Sequence, residues 1–285
     1  MNVNLEAKNN INTKVIANFL SLKLYLFFVP LFLLCAIVGF LYSQNALSVS
    51  QYIAVQKNFF YDINAVYSQF PSTIYNLTQI GDALIFLSLL SILLVHTPKL
   101  WEALISASLV SAVFSNLLKV VFSVPRPAAS LDNSTFTIIG PTLTGHNSLP
   151  SGHAITFFTV LTVLLFALMP KKTFSKMAWT IFIICIGLLL VFTRVGLGAH
   201  FPLDVLTGSC IGGISGLAGI FISRKYKLWS WIANKKYYPV FMVLFLVCGG
   251  IIINKIIHEN LVVFYLALIS LIVSLYQLMY AYIKR

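Results

Sequence analysis

The chain has 285 residues, of which 59% are hydrophobic and only 9% charged. Soluble domains carry about 25% charged residues, so a water-soluble globular protein is excluded. The formal net charge of +12 does not indicate a nucleic-acid reader, because such a protein spreads basic residues over a water-exposed face and here they sit between apolar runs.

A membrane-spanning helix needs about 20 mostly apolar residues, and eight segments meet that description: 21–43, 79–96, 101–122, 153–170, 177–193, 204–223, 237–254 and 261–282. Only helices satisfy their backbone within segments of this kind, so the expected fold class is an all-α polytopic membrane protein. The first segment is too long for the apolar core of a cleavable signal and reads as an anchor. Residues 44–78 mix aromatics (Tyr52, Phe59, Phe60, Tyr61, Tyr67, Phe70) with few charges, which suits either an interfacial helix or a packed loop. Residues 123–152, rich in Pro, Ser, Thr, Gly and Asn, read as a lid or specificity element. Cys35, Cys185, Cys210 and Cys248 all fall in apolar segments without metal-type spacing and read as small apolar residues. The triplets Asn76–Leu77–Thr78 and Asn133–Ser134–Thr135 match the glycosylation pattern, which is common by chance.

Orientation follows the basic residues, which favour the cytoplasmic side. With both termini inside, 14 of the 19 Lys and Arg residues are cytoplasmic, and Lys57, Lys119, Arg126, Arg194 and Lys255 remain outside. Three of those five belong to clusters that carry chemistry, and this topology places all of the clusters at the outer face.

Lys119 lies near the outer end of the third segment and Arg126 follows in Ser123–Val124–Pro125–Arg126–Pro127. Pro125 stops the helix, so the chain is expected to bend and carry Arg126 back over the site; the plain alternative is two cations snorkelling to headgroups. Pro150–Ser151–Gly152–His153 opens the fourth segment. A helix N-terminus offers free N–H groups and a positive dipole end to an anion, and Gly152 lets a ligand approach the backbone; a Ser cap beside an interfacial His is the plain reading. Arg194, His200 and Asp204 join the fifth segment to the sixth. A carboxylate four residues from an imidazole fixes its tautomer and frees the other nitrogen to attack, whereas the plain reading is a tie between helix ends. Lys119, Arg126 and Arg194 against Asp204 leave +2 with neutral histidines, which matches a phosphomonoester of about −1.5 to −2. No carboxylate cluster suits a metal pair.

This pattern resembles the type 2 phosphatidic acid phosphatase family, membrane relatives of the vanadium haloperoxidases, whose motifs run Lys-x6-Arg-Pro, Pro-Ser-Gly-His and Ser-Arg-x5-His-x3-Asp. The matching residues are Lys119, Arg126 and Pro127; Pro150 to His153; and Arg194, His200 and Asp204, with Thr193 in place of the usual Ser. The resemblance covers about residues 79–223 and implies a six-helix phosphatase core over 1–223, leaving 224–285 as an accessory pair of spans. It further implies a hydrolase acting on a lipid phosphate or pyrophosphate without metal or other cofactor. His200 would attack phosphorus, Asp204 would orient it, and His153 would act as acid and then base. Lys119, Arg126, Ser151, Gly152 and Arg194 would hold the phosphoryl oxygens. His146 matches no motif and reads as a loop residue. A phosphotransferase with the same site and, more remotely, a transporter are the alternatives; the partners expected are a lipid substrate and the bilayer, with no nucleic acid, in a bacterial inner membrane with the site facing outward.

Overall fold

The computed structural model describes residues 3–284, with side chains from Ile11 onward, and among them there is no strand. The chain opens with α1 (Val3–Ser21), followed by α2 (Phe28–Ser43), α3 (Val49–Tyr67), α4 (Pro71–Gln79) and α5 (Ala83–Leu90). Then come α6 (Pro98–Phe122), the single turn α7 (Pro127–Ser130), α8 (Gly152–Ala167), α9 (Thr173–Gly196) and α10 (Pro202–Tyr226). The chain ends with α11 (Tyr238–Glu259) and α12 (Val262–Ile283).

Six helical stretches among the described residues are long and apolar enough to cross a membrane, and seven if a bent pair counts as one. All eight apolar segments are therefore helical, but two depart from a straight span. The segment at 79–96 is the second arm of a pair, α4 and α5 with its 3-10 extension, that turns by 76°. The break sits where Asp82 caps a new helix, its carboxylate accepting from Leu84 N at 2.9 Å, so the apolar run restarts instead of continuing. The segment at 153–170 is the 16-residue α8, about 24 Å long at 1.5 Å per residue. It packs between α6, α9 and α10, and its inward residues Ala154, Phe157, Val160 and Val163 are buried. Enclosure by protein, rather than length, satisfies this helix.

α10 packs closely on α8 and α6 because its inner face is made of glycine. A Cβ on Gly208 would lie 2.7 Å from Ser151 O, and one on Gly212 2.5 Å from Ile155 O. Small residues four apart let helix backbones approach in lipid, where the hydrophobic effect drives no association. At the opposite end of α8, α1 buries Val15 and Phe19. There Asn18 Nδ2 donates to Ala167 O and Met169 O at 3.0 and 3.1 Å, capping carbonyls that a helix C-terminus leaves open.

Residues 44–78 are helical for most of their length rather than a loop. In α3, Tyr52, Gln56, Phe60 and Asn64 recur every four residues and are all buried, so one face of α3 lies against the core. Asn64 ties three segments together. Its Nδ2 donates to Thr137 O and Gly196 O, both at 2.9 Å, and its Oδ1 accepts from Thr137 N at 2.9 Å. α11 and α12 pair with each other, and α12 lies along α4 and α5.

Candidate functional site

The three clusters meet where the ends of α6, α8, α9 and α10 converge. α6 stops at Phe122 with Ser123 in the left-handed region at φ 45°, two residues before Pro125. The chain then turns back, and two backbone bonds fasten it to the loop before α8: Arg126 N donates to Gly145 O at 3.0 Å, and Ser148 N to Val124 O at 2.9 Å. The bend expected at Pro125 is present, and it brings Arg126 over His200. These two backbone bonds tie the loop at 131–151 to the chain around Arg126 through Gly145 and Ser148.

Arg126 is buried. Its Nε donates to Asn147 Oδ1 at 2.7 Å and its Nη1 to Ala199 O at 3.2 Å, leaving Nη1 3.4 Å from His200 Nε2. The imidazole thus presents Nε2 to a cation. Its Nδ1 faces Ser148 Oγ at 3.4 Å, and that hydroxyl donates to Asp204 Oδ2 at 2.6 Å. A hydroxyl that gives its only proton to the carboxylate accepts from its other neighbour, which sets the proton on Nδ1 and leaves the Nε2 lone pair free. The direct separation of His200 Nδ1 and Asp204 Oδ2 is 3.7 Å, beyond hydrogen-bond range, so the carboxylate acts on the imidazole through Ser148. α10 begins at Pro202, two residues after His200. Asp204 therefore lies in the first turn of the helix, with Oδ2 accepting from Phe201 N at 2.8 Å.

Asp204 Oδ1 accepts from Tyr52 OH at 2.7 Å. Burial and the adjacent carboxylate hold the Tyr52 phenol well above its ordinary pKa, so it stays a donor. Gln56, one turn along α3, accepts from Leu203 N at 2.8 Å and satisfies an open N–H at the start of α10. Tyr52, Gln56, Asn147 and Ser148 belong to none of the sequence clusters. The four-residue repeat of Tyr52, Gln56, Phe60 and Asn64 is the signal that marks the first two; Ser148 and Asn147 carry none beyond lying just before Pro150.

Ser151 is fully buried. Its N–H donates to Asp204 O at 3.0 Å, and its hydroxyl accepts from Ala154 N at 3.5 Å as the cap of α8. A Cβ on Gly152 would lie 3.0 Å from Lys119 Nζ and 3.4 Å from Ser115 Oγ, so the glycine leaves the Lys119 ammonium close to the start of α8. His153, on the next position, packs on the α4–α5 turn, where a Cβ on Gly81 would lie 2.7 Å from its Cδ2. Arg194 is buried, with Nη1 on Thr78 Oγ1 at 3.1 Å and Nε without a partner. Thr193, one position before, is buried and gives its hydroxyl to Leu190 O at 2.5 Å. His146 is exposed in the loop.

Among the described residues, no carboxylate lies within 4 Å of Lys119, Arg126 or Arg194. The charges of all three act on both His153 and His200. Burial, followed by these cations, lowers the pKa of His200 well below the ordinary histidine value, so the imidazole is neutral at physiological pH. Among the described residues no group of three or more His, Cys, Asp or Glu is placed to hold a metal ion. Two cavities adjoin the site. One of about 190 Å³ is lined by Arg194, Ala199, Tyr75 and Glu259 among others, and the other, of about 360 Å³, lies beside His153 and Gly152.

Helices that cross a membrane, one buried and one half-buried histidine and three cations without carboxylate partners together define a membrane protein with an anion site at the convergence of four helix ends. The PAP2 superfamily model matches residues 100–229. A protein named the bacitracin transport permease protein BcrC, from Bacillus licheniformis, is 30% identical over 162 residues, covering 56% of this chain and 74% of that protein. The chain belongs to the PAP2 superfamily. The crystal structure of Aquifex aeolicus LpxE is 27% identical and aligns with 59% of this chain and 95% of its own, at a TM-score of 0.49.

Proposed function

We propose that this chain is a membrane phosphatase that hydrolyses a lipid phosphate or lipid pyrophosphate through a phosphohistidine on His200. The observation that carries this reading is the convergence of Lys119, Arg126 and Arg194, without carboxylate partners, on a buried neutral imidazole. The phosphoryl group replaces the weak Arg126–His200 contact, with its oxygens held by the three cations, the Ser151 hydroxyl and the open N–H groups at the start of α8. His200 Nε2 donates its lone pair to phosphorus while the bond from phosphorus to the lipid oxygen breaks, and His153 gives that oxygen a proton. The positive charge on the His200 ring is stabilised through Ser148 by Asp204. Water, losing a proton to His153, then attacks phosphorus; the P–N bond breaks, and inorganic phosphate leaves with His200 restored. A positioned acid of this kind is worth about 10²–10⁴-fold in rate.

In this reading eight segments cross or enter the bilayer, both termini are cytoplasmic, and the site faces outward from a bacterial inner membrane. Residues 1–223 form the phosphatase core, and the pair at 224–285 is an accessory. The name of the Bacillus licheniformis protein speaks of transport, but a transporter pathway calls for charges near mid-span in two related halves, whereas the motif cations here gather at helix ends.

The test is phosphate release by detergent-purified protein over a panel of lipid phosphates and pyrophosphates in EDTA, with His200→Ala alongside. Release that survives EDTA and disappears in the variant supports the scheme. Release that requires a metal, or that persists in His200→Ala, removes it; phosphate moved between lipids without release makes the protein a transferase.

A further inference from the structure

Helix α3 has three different faces. Tyr52, Gln56, Phe60 and Asn64 make the buried one. Roughly 90° around the helix, Phe59 and Val66 are 54% and 59% exposed, and Phe70, in the turn to α4, is 62% exposed. None of these three packs against the hydrophobic core of the described residues. On the far side of that stripe come Gln51, Asn58 and Asp62, all exposed. A helix with a polar flank beside an open apolar one suits the plane of a membrane interface. Two observations put α3 at that level. Residues 44–48 alone separate it from α2, a helix long and apolar enough to span, whose Phe28, Phe32, Phe40 and Tyr42 are exposed and so face lipid. The second is that α3 crosses helix ends. Gln56 Oε1 accepts from Leu203 N in the first turn of α10, and Asn64 Nδ2 donates to Gly196 O, the last residue of α9. Eight residues, about 12 Å of helix, join those two contacts, so α3 bridges the site-end termini rather than running down the bundle.

The buried face of the same helix reaches into the site, where Tyr52 OH donates to Asp204 Oδ1 at 2.7 Å. We propose that Phe59, Val66 and Phe70 dock α3 into the lipid leaflet on the side of the membrane where the site lies, and that this docking holds Tyr52 and Gln56 against the start of α10, so that a lipid surface positions Asp204. Moving the stripe out of water gives the helix a preferred depth. Asp62, at the border of the stripe, limits that depth to the headgroup region, because a charge deeper in the bilayer is costly. A helix is stiff, so its depth sets the level at which Tyr52 and Gln56 meet α10. The positioning half of the proposal rests on the phosphatase reading above; the docking half does not.

The docking is tested on full-length protein with its four cysteines replaced, reconstituted in phosphatidylcholine vesicles. A polarity-sensitive fluorophore on Phe59→Cys or Val66→Cys is expected to emit further to the blue and to be quenched by lipid brominated along the acyl chain, and on Asn58→Cys to do neither. A blue shift without that quenching, the mark of a protein partner such as a second copy, overturns the docking, as does an unshifted label at Phe59 and Val66. The positioning is tested by phosphate release in the same vesicles, with the best of phosphatidate, polyprenyl phosphate and polyprenyl pyrophosphate as substrate. Phe59→Gln/Phe70→Gln is expected to lower kcat about tenfold with KM unchanged, but by less than about twofold when Tyr52→Phe has already cut the path. Phe59→Trp/Phe70→Trp, which keeps aromatic rings suited to the interface, is expected to stay within about twofold of the wild type. A tenfold loss that persists in Tyr52→Phe, no loss in the wild type, or a Trp variant as weak as the Gln variant overturns the positioning while phosphatase activity stands. Absence of release from every substrate by the wild type removes the phosphatase reading and the positioning with it, and the fluorophore still decides the docking.

Discussion

Asp204 is held by three donors, Tyr52 OH, Ser148 Oγ and Phe201 N, and two of them are single side chains that can be removed without touching substrate. Taking one partner from a buried acceptor costs about 1–3 kcal/mol. Tyr52→Phe and Ser148→Ala are therefore expected to lower kcat by about 10–100-fold with KM unchanged, Ser148→Ala the more because it also cuts the link from Asp204 to His200. Steady-state kinetics check this, and a loss that falls on KM instead would assign these residues to substrate binding. His200 supports a second prediction. Its depressed pKa, due to burial and then to Arg126, Arg194 and Lys119, keeps the proposed nucleophile neutral as pH falls through the ordinary histidine range near about 6.5. Removing a nearby cation raises that pKa, so in Arg126→Gln the acid limb of the kcat/KM profile moves to higher pH. Titration of the substrate is common to both enzymes and cancels in the difference. The same shift bears on stability: folded His200 binds fewer protons than unfolded His200 below about pH 6.5, so its contribution favours the folded state above that value and is lost as acid is added.

The close seating of α8 on α10 sets the distance between the Ser151–His153 turn and Asp204, and glycine sets that seating. Gly212 and Gly213 make a controlled pair. A Cβ at Gly212 meets Ile155 O at 2.5 Å, a backbone atom that cannot swing aside, whereas at Gly213 the nearest atom is Pro30 Cβ at 3.7 Å. Gly212→Ala is expected to destabilise by about 1–3 kcal/mol through overpacking and to lower activity with it, while Gly213→Ala is neutral or stabilising by up to about 1 kcal/mol from helix propensity. Thermal unfolding in detergent beside phosphate release distinguishes the two. Equal effects would mean that helix propensity, not the α8–α10 approach, dominates. At this scale the sequence exposed part of the answer. Periodicity and apolar length announced where helices lie, and Pro125 announced the bend before Arg126. The break at Gly81–Asp82 was masked by the apolar run around it, because a single capping carboxylate is a weak signal beside so many aliphatic residues. The buried role of α3 was masked differently: Tyr52, Gln56 and Asn64 are polar, and only the four-residue repeat they share with Phe60 marks a face that packs rather than floats.

Motif spacing marked the candidate site residues along the chain, but which of them touch is a property of the whole assembly, and the last two helices show why. α11 and α12 hold no motif residue, yet they fasten the bent α4–α5 segment from outside. Ser274 and Ser91 share a hydrogen bond at 2.7 Å, Tyr75 donates to Glu259 Oε2 at 3.1 Å, and Val263 N donates to Asn76 Oδ1 at 3.3 Å. Since Gly81 on that segment abuts His153, a chain ending at Tyr226 is expected to lose most of its activity and stability. Lys255→Ala, which removes a partly exposed ion pair with Asp82 and a cation–π contact with Phe264, costs about 2 kcal/mol or less. The proposed outward-facing site adds a prediction for the molecule as a whole. Gln69 in the α3–α4 turn and Lys172 in the α8–α9 turn are both exposed; the first belongs to the site end, the second to the end where Lys171, Lys172 and Lys176 cluster. Positive residues hold cytoplasmic loops in place, so in a background with the four cysteines replaced, Gln69→Cys should react with a membrane-impermeant maleimide in intact cells, and Lys172→Cys only after lysis. The reverse pattern would turn the site to the cytoplasm, where the substrate must come from the inner leaflet, and would show that the cations at the site outweigh the loop lysines in setting the orientation.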